Sequence, residues 1–344
     1  MAKKLVQGNE AIAQAALDAG LGFFAGYPIT PASEIMHYLA DKNILFMQPE
    51  DEIASINLCL GASLAGEKSM TATSGPGFSL MQEAIGFGHV TRIPMVIVNS
   101  QRVGPATGMP TMPSQGDLLQ AKHGSHGDYT SIVFYPNSVA ELYEYTIQAF
   151  NASEQSKIPI ILLSDAMLSH MYETVDLQDI AKKIKLVAKN KEPLGKGKMH
   201  ITGLLSRENV PVTKDSKYYI EWFAKYKKDI GDASKNYEFF EYIKNEKADS
   251  LIVSFGITSR VVLPLKEKYS LFRPIRIFPL LEKQIKGISE KYKQVIVIEM
   301  NDGQYASELK KILGEKVKSI SVLGGKITLD IIKKELKKIR LFEE

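Results

Sequence analysis

Arg102 offers the most specific chemistry in this 344-residue chain. A guanidinium is planar and permanently charged, and it can hold a carboxylate through two parallel hydrogen bonds. It stands in Gln101-Arg102-Val103-Gly104-Pro105. Thr30, in Gly26-Tyr27-Pro28-Ile29-Thr30-Pro31, presents a hydroxyl from a turn stiffened by two prolines and followed by an expected helix start, where anions bind well. Glu52 follows Glu50 and Asp51 at the mouth of a helix rich in small residues (Ala54, Ser55, Gly61, Ala62, Ala65). A carboxyl fixed on a rigid element and partly dried makes a strong hydrogen bond. A carboxylate at a helix start is also stabilised by the helix dipole, a duty that Glu50 and Asp51 could share. Ser74-Gly75-Pro76-Gly77 allows backbone to approach a ligand, because glycine has no side chain in the way. It has no Gly-Lys-Ser/Thr and so is not a nucleoside triphosphate loop.

These residues are spaced by an alternating pattern. Short apolar runs at 22–25, 44–48, 69–73 and 94–99 read as strands, and segments opening near 31, at 53–65 and at 78–89 read as helices. Such alternation predicts a mostly parallel sheet covered on both faces, with ligands bound outside the carboxyl ends of the strands. Thr30, Glu52, Ser74 to Gly77 and Arg102 all fall on that rim. A helix at 138–153 and a strand at 158–164 close this first unit, expected over 1–175. Residues 176–248 read as a linker with inserted helices at 218–226 and 237–245, around the only tryptophan, Trp222. The stretch includes Pro193, Gly195, Gly197 and Pro211. A second alternation over 249–344 places strands at 250–254, 275–278, 295–299 and 318–322, with helices at 258–268, at 281–292 and ending near 313. The expected class is therefore α/β with two parallel-sheet domains.

Composition narrows the function. Hydrophobic residues make up 44% and charged residues 24%, ordinary for a soluble domain. No apolar run approaches the roughly 20 residues needed to span a membrane. Met1-Ala2-Lys3-Lys4-Leu5 lacks the apolar stretch of a signal peptide, which together with a single cysteine predicts a cytoplasmic protein without internal disulfides. Cys59, inside the 53–65 helix, reads as a buried small residue. Through Val175 there are 8 Lys+Arg against 16 Asp+Glu, and beyond it 35 against 23. The later lysines (Lys310, Lys311, Lys333, Lys334, Lys337, Lys338) are scattered among glutamates, the pattern of a solvated face. No aromatic-plus-basic motif accompanies them, so no nucleic-acid partner is expected.

The ordered set Tyr27-Pro28-Ile29-Thr30-Pro31, Glu52, Thr73-Ser74-Gly75-Pro76-Gly77, Gln101-Arg102-Val103-Gly104-Pro105, Gly108-Met109-Pro110-Thr111, Gln115-Gly116-Asp117-Leu118 and His126-Gly127-Asp128 resembles the alpha subunit of 2-oxoacid:ferredoxin oxidoreductases, most closely the 2-oxoglutarate type. The resemblance covers nearly the whole chain. It implies a thiamine diphosphate pyrimidine-binding-type domain followed by a transketolase C-terminal-like domain, in which Phe255-Gly256 and Glu299 to Gln304 are structural. It implies thiamine diphosphate against Tyr27, Pro28, Ile29, Glu52 and Ser74 to Gly77. Glu52 would be the catalytic carboxyl on the pyrimidine ring nitrogen, with Thr30 and Arg102 on the substrate C1 carboxylate. An iron–sulfur cluster needs about four cysteines, and this chain has one. The cluster, the acidic thiamine diphosphate motif and its Mg2+ are thus expected on a partner beta subunit. Separate gamma and delta subunits, coenzyme A and ferredoxin complete the implied assembly.

The stretch from Gly104 to Asp128 reads as a long functional loop. His123 and His126, with no third ligand in evidence, do not make a metal site. With Lys122 they are candidates to meet the distal carboxylate of 2-oxoglutarate, unless the partner chain supplies that group. The rival readings are the same chemistry on pyruvate or 2-oxoisovalerate, and a non-catalytic assembly partner that has kept the fold.

Overall fold

The computed structural model describes residues 3–189, 201–207 and 210–341; Pro193, Gly195 and Gly197 of the expected linker lie outside them. An eight-stranded sheet has the spatial order Arg276–Phe278, Ile132–Phe134, Pro159–Asp165, Met95–Val103, Lys68–Thr73, Leu21–Ala25, Leu45–Met47, with Met109–Pro113 paired to Met95–Val103 off this path. Its interior pairings are parallel. Lys68–Thr73 and Pro159–Asp165 are buried at every position, as strands covered on both faces must be. The chain leaves Leu21–Ala25 for the edge strand Leu45–Met47, then returns to Lys68–Thr73 on the opposite side. The loops after Leu21–Ala25 and Lys68–Thr73 therefore flank a crevice at a topological switch point, where open α/β sheets bind ligands.

The helix Glu52–Leu64 lies against this crevice. Asp51 caps it, accepting a hydrogen bond from the Ala54 amide at 2.7 Å. Cys59 is fully buried on its inner face with its sulfur 3.2 Å from the Met70 carbonyl oxygen, and burial pushes its thiol up to about 12. Gly88 packs against the side chains of Pro159 and Leu60, where a Cβ would approach the Pro159 ring to 2.5 Å.

A five-stranded sheet follows, in the order Phe240–Ile243, Ser270–Pro274, Ser250–Val253, Gln294–Glu299, Val317–Ser321. Two segments differ from the sequence reading. The helix expected over 237–245 is instead a 3-10 turn, Lys235–Tyr237, and the strand Phe240–Ile243, antiparallel to Ser270–Pro274. Phe240, Tyr242 and Ile243 favour a strand, and ladder pairing with the Phe240–Phe272 ring stack, 5.4 Å between centroids, fixes it there. The strand expected at 275–278 joins the first sheet, and a strand not expected, Ser270–Pro274, stands before it in the second. Ser270–Pro274 pairs with Ser250–Val253, and Arg276–Phe278 crosses to pair antiparallel with Ile132–Phe134. The stretch read as linker thus lends a strand to the second sheet, and the second alternation lends one to the first. The helix expected over 218–226 lies within the longer Ser216–Ser234. Among the described residues, no helix is long and apolar enough to cross a membrane.

Candidate active site

Glu52 is the first residue of its helix and only 5% exposed. Its carboxyl occupies space that exists because residue 77 is glycine. A Cβ built on Gly77 would lie 2.2 Å from Glu52 Oε1 and 2.2 Å from Thr73 Oγ1. Burial pushes the Glu52 carboxyl above the usual range, and the Asp51 charge acts in the same direction. Its own backbone amide, the Thr73 hydroxyl and Arg102 pull the other way without prevailing. A carboxyl held protonated more readily than usual, on a rigid helix start, is suited to exchange a proton with a ring nitrogen.

Arg102 lies inside a strand rather than in the loop after one. Met95–Val103 runs four residues past the expected end at Asn99, because Met109–Pro113 folds back on it and Arg102 pairs with Pro113. The loop expected from Gly104 to Asp128 is accordingly a hairpin followed by the helix Leu118–His123. Arg102 is 8% exposed. It donates from Nη1 to the Thr30 carbonyl oxygen at 2.7 Å, so the link between these two residues runs through backbone and leaves the Thr30 side chain exposed. The loop beside it presents Tyr27 and Pro28 to solvent and half-buries Ile29.

Ser74 precedes the short helix Gly75–Leu80, with Pro76 in its first turn. Three buried polar atoms around these strand ends have no protein partner: Ser74 Oγ, Asn99 Oδ1 and Arg102 Nε. Asn99 pairs in register with Thr73 on the neighbouring strand. Buried polar groups are normally satisfied, so a crevice with unfilled donors and acceptors and two glycines at its wall fits a polar ligand such as thiamine diphosphate. Four residues of this neighbourhood were not singled out as site residues from the sequence: Thr73, Asn99, Gln115 and Asp117. The signal for them was weak but present, in the polar Asn99-Ser100-Gln101 at the end of an apolar strand and in Gln115-Gly116-Asp117.

Lys122, His123 and His126 are not gathered with Glu52 and Arg102. Lys122 forms an ion pair with the buried Glu308 and lies over the Phe278 ring, 5.5 Å from its centroid. His123 meets the Tyr129 ring edge-on at 5.8 Å, and its pKa is lowered by burial and by Lys122. Both line a cavity of about 300 Å³ between the two sheets, with Phe278 and Lys311. His126 lines another, of about 370 Å³, with Phe87, His89 and Trp222. The reason is tertiary. The helix Leu118–His123 turns the end of this stretch toward Gln304–Leu313, whose Glu308 takes up the lysine charge.

An α/β chain with a switch-point crevice built from these motifs is a thiamine diphosphate-binding type. Residues 14–240 match the family described as pyruvate flavodoxin/ferredoxin oxidoreductase, thiamine diphosphate-binding, and the chain belongs to that family of oxidoreductase subunits. It is 40% identical over 343 residues to the 2-oxoglutarate synthase subunit KorA of Archaeoglobus fulgidus, covering 95% of this chain and 96% of the relative. It is 34% identical to the ketoisovalerate oxidoreductase subunit VorB of Methanothermobacter marburgensis, covering 97% of each. A solved 2-oxoglutarate:ferredoxin oxidoreductase from Magnetococcus marinus, with 2-oxoglutarate, coenzyme A and succinyl-CoA bound, superimposes with a TM-score of 0.90 at 30% identity, over 98% of this chain and 65% of that one. A split-gene transketolase in an inactive tetramer shares the fold, with a TM-score of 0.62 at 13% identity over 97% of each chain.

Proposed function

We propose that this chain is the alpha subunit of a cytoplasmic 2-oxoglutarate:ferredoxin oxidoreductase. The reaction converts 2-oxoglutarate, coenzyme A and two oxidised ferredoxins into succinyl-CoA, carbon dioxide, two reduced ferredoxins and a proton. The observation that carries this reading is the buried Glu52 carboxyl, seated in the space left by Gly77 beside the Thr73 hydroxyl, at the strand ends that also carry Arg102. Thiamine diphosphate, when bound, supplies the electron sink for decarboxylation. Glu52 exchanges its proton with the pyrimidine ring nitrogen. Ser74 to Gly77 and the Tyr27-Pro28-Ile29 turn hold the cofactor, and Arg102 with Thr30 orients the C1 carboxylate.

A beta subunit is part of the proposal. The only cysteine, Cys59, is buried within a helix, so the iron–sulfur cluster is assigned to another polypeptide, and Mg2+ with the acidic cofactor motif is assigned there too. Apolar side chains around the crevice mouth, Tyr27 (41% exposed), Met47 (45%) and Ile53 (48%), suit coverage by that subunit. Gamma and delta chains and ferredoxin complete the assembly. With Lys122 paired to Glu308, and His123 and His126 lining other cavities, the group that meets the distal carboxylate of 2-oxoglutarate is assigned to the partner.

Similarity to ketoisovalerate oxidoreductase subunits supports 2-oxoisovalerate as a second reading of the substrate. The deciding experiment purifies the complex from its source through a tag on this chain. Coenzyme A-dependent viologen reduction is then assayed with 2-oxoglutarate, pyruvate and 2-oxoisovalerate side by side. A clear preference for 2-oxoglutarate is expected. Preference for another acid would overturn the substrate, and inactivity with all three would overturn the function.

A further inference from the structure

We propose that Asn9 is a positioning residue that clamps the Thr30–Pro31 turn and, through that turn, holds Arg102 at the substrate carboxylate. This rests on the reading of Thr30 and Arg102 as the carboxylate-binding pair. The turn between Leu21–Ala25 and the helix Ser33–Ala40 contains Pro28 and Pro31, which have no amide hydrogen to donate. Its backbone is tied to the neighbouring strand where the Gly26 amide donates to the Met47 carbonyl at 3.2 Å. It closes on itself where the Ala32 amide donates to the Ile29 carbonyl at 2.8 Å. The helix that follows has Ala32 at its cap position and no side-chain cap. A turn with so few amides to spend is held through its carbonyl oxygens.

Two adjacent carbonyls are held by side chains from distant elements. The Thr30 oxygen accepts from Arg102 Nη1 at 2.7 Å, and the Pro31 oxygen accepts from Asn9 Nδ2 at 2.8 Å. Asn9 Nδ2 also donates to Glu34 Oε2 at 2.8 Å. A side-chain amide nitrogen carries two hydrogens, so both are committed. A carbonyl and a carboxylate only accept, which fixes the Asn9 amide with its nitrogen toward the turn. Glu34 stands in the first turn of Ser33–Ala40, and its Oε1 lies 3.4 Å from His170 Nε2. Asn9 thus ties the turn and the helix after it to one point.

That point is rigid. Asn9 is the second residue of the helix Gly8–Asp18 and is fully buried. Gly8 seats the start of this helix against the backbone of Ala166–His170. Its amide donates to the Met171 carbonyl at 3.0 Å, and a Cβ built on it would lie 1.9 Å from the Leu168 carbonyl oxygen. Asparagine is a weak helix former that near a helix start usually bonds its own backbone. Asn9 spends neither hydrogen on its own helix, and its Oδ1 is buried without a partner. Stability alone does not favour a buried amide with an unmet acceptor; a duty to the Pro31 carbonyl accounts for it. Releasing that carbonyl frees the adjacent Thr30 carbonyl to move, and Arg102 Nη1 then loses the partner that orients its guanidinium.

The test uses the assembled complex with Asn9→Ala, Arg102→Gln and the double variant, in the viologen assay with the preferred 2-oxo acid. Asn9→Ala is expected to raise KM for the 2-oxo acid about fivefold, the size of losing one neutral hydrogen bond. KM for coenzyme A, kcat and thiamine diphosphate content should stay within about twofold of wild type, a split that a general loosening of the fold would not give. In the Arg102→Gln background the same change should add less than about twofold, since the group it positions is gone. Asn9→Ser, too short to reach the Pro31 carbonyl, should repeat the rise in KM and carries the measurement if the alanine complex does not assemble. An unchanged KM for the 2-oxo acid, a parallel rise in KM for coenzyme A, or an effect that multiplies with that of Arg102→Gln would each overturn the proposal. Loss of cofactor or of assembly in both Asn9 variants would overturn it too. A wild-type complex that turns over no 2-oxo acid would instead overturn the functional reading beneath it.

Discussion

Gly77→Ala is the sharpest perturbation of the proposed chemistry, because it adds one methyl group at a defined place. The new Cβ would stand 2.2 Å from Glu52 Oε1, 2.4 Å from Glu52 Cδ and 2.2 Å from Thr73 Oγ1. Ordinary contact requires about 3.4 Å or more, so the carboxyl must retreat by roughly 1 Å, a misplacement that can cost about 100-fold in rate. Gly77 is helical and has no left-handed φ, so the backbone accepts alanine there and gains up to about 1 kcal/mol of helix propensity. Loss of activity is therefore expected without loss of fold. The assay is coenzyme A-dependent viologen reduction by the purified complex, with subunit content by gel filtration and thermal melting as controls. The expected result is a kcat lowered about 100-fold in an assembled complex that melts near wild type. A kcat within about threefold of wild type would refute the claim that this contact sets the position of the Glu52 carboxyl.

Three further outcomes follow from the same physics. Glu52→Gln keeps the shape and abolishes proton exchange, so turnover should fall at least 100-fold. Because burial raises the folded-state pKa of Glu52, the native state holds the proton more tightly, and this residue's contribution to stability falls as pH rises through that window. At neutral pH the glutamine variant should melt at or above wild type; a marked loss of stability would contradict this. Glu308→Gln leaves Lys122 without its partner and should destabilise by about 2 kcal/mol without altering the ranking of 2-oxo acids, whereas a changed ranking would return Lys122 to the substrate. His89 is buried with its Nδ1 2.8 Å from the Tyr226 hydroxyl and its pKa pushed down to about 3. The unfolded chain takes up this proton near pH 6.5, so stability falls as pH drops below that value. His89→Gln should flatten the dependence of melting temperature on pH between 6.5 and 4, and an unchanged slope would refute the assignment.

The parts of this molecule legible in its sequence are those set by local constraints. The crevice loops could be read because prolines and glycines fix turns at strand ends, and the parallel interior strands because they are short apolar runs. The helix Glu52–Leu64 was readable from Asp51, which caps it, and from its run of small residues. What escaped was decided by partners distant in the chain. Phe240–Ile243 is too short a run to be read as a strand until Ser270–Pro274 offers it a ladder. Arg276–Phe278 leaves its neighbouring strand because Ile132–Phe134 presents an open edge. Lys122 looked free for a substrate, since nothing near it in sequence reveals Glu308, 186 residues away.

Gly77 and Glu52 illustrate why a site can be recognised before its working is understood. Read along the chain, they belong to separate motifs, a glycine-rich turn and a carboxylate at a helix start, each with an adequate local explanation. In the fold they form one device. The missing side chain of the first creates the enclosure that dries the second, and the drying raises the carboxyl's affinity for a proton. Thr73, at the end of the strand leading into the turn, brings its hydroxyl to the same space, so the strand, the turn and the neighbouring helix bound that space together.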